Sequence, residues 1–121
     1  MEDKLVDFSL LEDLSGGDPQ YKYELLGIFI TSVDEGMANL EHLVKNTDDL
    51  DAIFKQAHAL KSPAGIVKVW EMLPRMMRIE ELGRKGEGMQ EINELFDRAK
   101  ATYTEARPVL VAEREKNKPA E

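Results

Sequence analysis

The residues in this 121-residue sequence whose types and spacing could do chemistry gather around one histidine, His58. If the surrounding stretch is helical, positions three, four and seven residues away share its face, which places Phe54, Lys55, Lys61, Ser62 and Gly65 around the imidazole. An imidazole nitrogen is a nucleophile, and two lysines bracket this one. A phosphorylated imidazole carries about two negative charges, so a nearby ammonium favours that state. In solvent, at roughly 4 Å, each such contact gives only on the order of 1 kcal/mol, enough to tune a carrier but not to make a catalyst. The small residues Ala59, Ser62, Ala64 and Gly65 leave the ring clear for a partner's cleft to close over it, as in-line transfer requires. Read alone, the same residues also describe an ordinary surface histidine among solubilising lysines, and Lys55 more than Lys61 fits that plainer description.

The elements that must position His58 are helical. The apolar residues Ile53, Ala57, Leu60, Ala64 and Val67 follow a three-four rhythm that leaves His58 off the buried stripe, and Asp48 or Asp49 can cap the helix. Pro63 lacks an N–H and should bend this helix near Ala59 to Ser62, biasing Ser62 away from the helical region. Before it, Asp18-Pro19 opens a long helix to about Asn46 along Leu25 or Leu26, Phe29, Val33, Met37, Leu40 and Val44. A short helix with Phe8, Leu10, Leu11 and Leu14 ends at Gly16 and Gly17 and should lid the bundle. A fourth helix begins near Pro74, turns Leu73, Met76 or Met77, Ile79 and Leu82 inward, and stops at Gly83 and Gly86. Trp70, Met72, Met76 and Met77 read as core fillers. A fifth helix from Met89 to Arg107 carries Ile92, Leu95 or Phe96, Ala99, Tyr103 and Ala106 on one face, and Pro108 kinks or ends it. No strand-like alternation is visible. The expected fold is all-α: an up-down-up-down four-helix bundle with a short additional N-terminal helix, one domain over residues 1–112 and a charged, frayed tail over 113–121.

Composition narrows the function classes. The chain is 42% hydrophobic and 33% charged, which supports a folded core with a wet surface. Its 24 acidic and 16 basic residues give a net charge of -8, which disfavours nucleic acid and anionic membranes as partners. No apolar run approaches the roughly 20 residues of a membrane span and the N-terminus lacks a signal-peptide pattern, so a cytoplasmic location is expected. The absence of cysteine excludes disulfides, thiolate nucleophiles and thiolate metal sites. No Glu-x-x-His pair is present to build a carboxylate-bridged metal centre, so no metal site is expected, and His42 reads as a solvated surface residue.

The segment Ala57-His58-Ala59-Leu60-Lys61 resembles the A-H-x-L-K signature of histidine-containing phosphotransfer (HPt) domains. The resemblance covers roughly Leu10 to Asp97, with Leu26 and Phe29 on the second helix and Ile79-Glu80 where the family usually shows Leu-Glu. It implies a four-helix bundle whose exposed His58 accepts a phosphoryl group, on Nε2 by analogy, from an aspartate of one receiver domain and donates it to another. Its implied partners are response-regulator receiver domains and a sensor or hybrid histidine kinase. The chain would be a phosphoprotein rather than an enzyme, monomeric and with no cofactor of its own. The receiver would supply the aspartate, Mg2+ and most of the charge stabilisation, while Lys61 supplies compensating charge. Partners of the family bind around the second and third helices, which makes Tyr21 and Tyr23 candidates for the docking surface. Three positions depart from the family pattern. Ser62 and Pro63 stand where it usually has Gly and a small residue, and Lys68 stands where Gly is common. The Ser62 hydroxyl could bond the phosphoryl oxygens or hinder docking, Gly65 leaves room, Lys68 could reach a partner's acidic cleft, and Lys55 is a further candidate binding residue beside His58. The initiating methionine and charged tail favour a free-standing carrier over a piece of a kinase. Two other functions share the helical pattern: an adaptor that binds signalling domains without carrying phosphate, and a small enzyme, for which no nucleophile-base pair or phosphate-cradling glycine loop is visible.

Overall fold

A computed structural model describes residues 5–120. Five helices dominate them: α1 (Ser9–Ser15), α2 (Pro19–Asn46), α3 (Leu50–Ile66), α4 (Met72–Lys85) and α5 (Met89–Lys116). The helix boundaries follow local chemistry. The Asp18 carboxylate accepts the Gln20 N–H at 3.1 Å ahead of Pro19, which needs no such bond, and so opens α2. The Thr47 hydroxyl closes α2 by donating to the Leu43 carbonyl at 2.6 Å, and Asp49, of the two candidate caps, opens α3 by accepting from Ala52 N–H at 3.1 Å. Gly86, at φ 75°, ends α4 in the left-handed region open to glycine.

Helix α2 packs against α3 and α5, and α4 packs against the same two, which closes a four-membered ring with α1 laid on α2. The expected all-α bundle with an extra N-terminal helix is therefore the observed architecture. Its interior contains the predicted stripes: Leu26, Phe29, Val33, Met37, Leu40 and Val44 from α2, Ile53, Ala57, Leu60 and Ala64 from α3, and Ile92, Phe96, Ala99, Tyr103 and Ala106 from α5. Where the periodicity left a choice, Leu26, Met76 and Phe96 face inward. No helix among the described residues is long and apolar enough to cross a membrane.

Antiparallel polar contacts fix α2 against α5. Lys45 Nζ lies 2.7 Å from Asp97, Lys100 Nζ 2.7 Å from Glu41, and Arg107 Nη2 2.7 Å from Asp34, which also accepts from the Tyr103 hydroxyl at 2.7 Å. Arg107 above all, with help from Tyr103 and against the effect of burial, holds the Asp34 carboxyl below its ordinary range. A carboxylate depressed in the folded state adds stability above the unfolded value near 3.9, and that stability is lost as pH falls through the folded value. Asp34→Asn should therefore be less stable than the parent at pH 7, with the gap narrowing as pH falls below the ordinary carboxylate range, as measured by urea unfolding at a series of pH values.

Several expectations need correction. Pro63 does not interrupt α3, which runs through Ser62 to Ile66, because Ala64 and Val67 beyond it are buried at 1% and 0% exposure and hold the chain in place. Pro108 neither ends nor breaks α5. It sits on the solvent face, where water can satisfy the carbonyl it leaves unpaired. The tail expected to fray from residue 113 is helical to Lys116, since Glu113 lies 3.7 Å from the buried Lys22, which also pairs with Glu12 of α1, and the Arg114 guanidinium covers the Tyr23 ring at 3.8 Å. Gly83 does not end α4. It lies inside the helix, where an added Cβ would stand 3.0 Å from both the Leu50 carbonyl oxygen and the Phe54 backbone nitrogen, so the missing side chain brings α4 close to α3. Met72 and Met76 are core, whereas Trp70 and Met77 are exposed. A two-residue antiparallel ribbon, β1 (Val6–Asp7) with β2 (Lys68–Val69), pairs Val6 with Val69 and Asp7 with Lys68. It is too short for any alternation to announce it.

Candidate functional site

The close approach of α3 and α4 creates the site. Because Ile53, Ala57, Leu60 and Ala64 are drawn into the core, His58 is turned outward with its side chain 63% exposed. From α4, Ile79 points into the core and its neighbour Glu80 points along the α3–α4 seam, with a side chain only 9% exposed. A carboxylate so enclosed requires partners. It has two: Oε2 lies 2.5 Å from His58 Nδ1 and Oε1 lies 2.7 Å from Lys61 Nζ. Lys61, and after it His58, hold the Glu80 carboxyl below the usual range in spite of burial, so the acceptor is an ionised carboxylate.

An ionised carboxylate can only accept, so the hydrogen of this contact resides on Nδ1. In the neutral ring Nε2 then carries the lone pair, on the edge turned away from Glu80. The Phe54 ring sits one turn earlier on α3, its centroid 6.3 Å from the imidazole at an interplanar angle of 44°. A shallow depression of about 520 Å³ beside Lys61 and Glu80 runs along α4 over Pro74 and Met77 to Arg84. On the other side of α3, a depression of about 430 Å³ lies between α2 and α3, with Ile28, Gly36, Leu60, Ser62 and Pro63 among its walls.

Of the residues singled out from sequence, His58 and Lys61 meet at Glu80. Lys55 does not join them: its ammonium pairs with Asp51 at 3.0 Å. Ser62 is exposed one turn along α3 from His58, and nothing lies within 4 Å of where a Gly65 side chain would start. Lys68 is exposed in β2, beyond the helix that carries His58. Tyr21 is 45% exposed, but Tyr23 is covered by Arg114. Glu80 was missed as a site residue. Its signal was present, since a carboxylate next to the inward-facing Ile79 is poorly placed for full solvation and so needs a cation from a neighbouring helix.

Glu80 holds the ring by a charge-assisted hydrogen bond and would stabilise positive charge on it.

Residues 24–108 match the family model of the Hpt domain. No curated protein and no solved structure gives a significant match. The matched stretch is well over half of the chain and takes in the greater part of α2, all of α3, which carries His58, all of α4 and most of α5, and so the chain belongs to the Hpt domain family.

Proposed function

We propose that this protein is a phosphoryl carrier of a two-component phosphorelay, taking a phosphoryl group onto His58 from the aspartate of one receiver domain and giving it to another. The observation that carries this reading is an exposed imidazole whose Nδ1 is tied to the buried Glu80 at 2.5 Å, which leaves Nε2 directed outward as the nucleophile. The Nε2 lone pair forms the N–P bond as the aspartyl P–O bond breaks and the carboxylate leaves. The Nδ1 hydrogen stays on the ring throughout, and the positive charge the ring gains is balanced by Glu80. Transfer onward reverses these steps: the next aspartate attacks phosphorus, the N–P bond breaks and the ring returns to neutrality. No proton has to be lost, which suits a carrier that works in both directions.

Lys61 adds positive charge beside the ring. The receiver supplies its aspartate and Mg2+, and the domain needs no cofactor of its own. The surface between α2 and α3, with Ile28 64% exposed and Ser62 and Pro63 at its edge, is suited to a receiver's apolar docking face. A response-regulator receiver and a sensor or hybrid histidine kinase are the partners this chemistry calls for, with the chain working as a monomer in the cytoplasm.

The test is incubation with a panel of phosphorylated receiver domains. At least one should transfer acid-labile, alkali-stable phosphate to the protein and take it back. Receivers that bind without transferring would replace the carrier by an adaptor. Lys61→Ala should lower the initial labelling rate several-fold and also lower the melting temperature, because the enclosed Glu80 loses its main counter-charge and keeps only His58. Equal rates for variant and parent would remove Lys61 from the chemistry.

A further inference from the structure

Charge counting at the site leaves one requirement unmet. Before transfer, Lys61 and Glu80 cancel and the ring is neutral. Afterwards the ring is positive and the phosphoryl oxygens carry about two negative charges, so the excess is negative and lies on the outward side. Lys61 cannot turn fully towards those oxygens, because its Nζ is the 2.7 Å partner of Glu80, and moving it would strip a buried carboxylate of its main counter-charge. Lys55 is paired with Asp51, and Arg78 with Glu81 and Glu91.

Arg84 remains. It follows Glu80 by one turn on the same face of α4 and lines the same depression as Lys61 and Glu80. Helices α3 and α4 run in opposite directions, so the step from Glu80 to Arg84 matches the step from His58 back to Phe54. The neighbouring Gly83 confirms this level, since its absent Cβ would stand 3.0 Å from Phe54 Cβ. Arg84 is exposed and, among the described residues, makes no ion pair or hydrogen bond. A planar guanidinium with five donors matches phosphoryl oxygens better than an ammonium does.

We propose that Arg84 is the cation that contacts the phosphoryl group on His58, while Lys61 chiefly holds Glu80 in place behind the ring. The proposal rests on the carrier reading. It divides the positive charge between an inner lysine that positions and an outer arginine that binds.

The experiment compares the parent, Arg84→Gln, Arg84→Lys and Lys85→Gln, phosphorylated by phosphoramidate and by a competent phosphorylated receiver. With phosphoramidate the P–N bond breaks, ammonia leaves and phosphorus passes to Nε2, with no docking surface involved. Arg84→Gln should lower the equilibrium level of phosphohistidine about tenfold with either donor, and Arg84→Lys should recover most of it. Lys85 pairs with Glu81, so Lys85→Gln should match the parent and serve as the charge control. Arg84→Gln behaving like the parent overturns the role of Arg84 and leaves the carrier reading standing. An equal loss in Lys85→Gln reduces the effect to net charge and overturns it as well. A parent that neither donor phosphorylates overturns the carrier reading and this proposal together.

Discussion

His58→Gln should accept no phosphate from any donor that labels the parent, yet fold and melt like it. The side chain is 63% exposed and contributes nothing to the core, so its removal leaves Ile53, Ala57, Leu60 and Ala64 where they are. Gln offers an amide of similar reach that can still donate to Glu80, which keeps the buried carboxylate partnered and separates chemistry from stability. It has no nitrogen lone pair able to attack phosphorus. Labelling should therefore fall to background while receiver binding persists. The other ring, His42, lies on α2 with its Nδ1 3.3 Å from the Asn46 amide, away from any buried carboxylate partner, and its replacement should leave labelling unchanged.

Phe96→Ala should produce the matching opposite result, a protein with its chemistry in place and its stability gone. Phe96 is fully buried in α5 and is among the largest enclosed side chains of the bundle. Truncation removes its transfer energy and opens a cavity the four helices cannot close, a combined loss of about 3 to 5 kcal/mol. The Lys45 ammonium, 5.8 Å from the ring centroid, also loses its aromatic partner but keeps Asp97 and Asn93. A drop in melting temperature of more than about 10 °C is expected for a domain of this size. At a temperature where the variant is still folded, its His58 should be labelled at close to the parent's rate. A small change in melting would mean that Phe96 is not the central core residue it is taken for.

The bundle was legible because its signal is repeated along each helix. Five or six apolar positions at three-four spacing outvote any single exception, which is why every buried residue of α3 could be named in advance. The same reasoning misjudged Pro63 and Pro108. Local rules assign proline a bend or a stop, whereas packing beyond each proline, through Ala64 and Val67 in one case and Leu110 and Arg114 in the other, is worth more than one backbone hydrogen bond. Cross-helix partnerships were the least visible. Helical spacing placed Lys55 and Lys61 symmetrically about His58, but it is Glu80, 22 residues away on α4, that selects Lys61, while Asp51 on the same helix takes Lys55. Nothing in the spacing of α3 reports which face of α4 will lie against it. That depends on Gly83, whose missing side chain lets the helices approach and so brings Glu80 within reach of the ring.

The most direct measurement is nitrogen and phosphorus NMR of the isotopically labelled, phosphorylated protein, which identifies the nitrogen bonded to phosphorus. A phosphorus coupled to Nε2 of His58, with the Nδ1 hydrogen retained and shared with Glu80, is the predicted result. Phosphate on Nδ1, on the Ser62 hydroxyl or on no residue at all would contradict it.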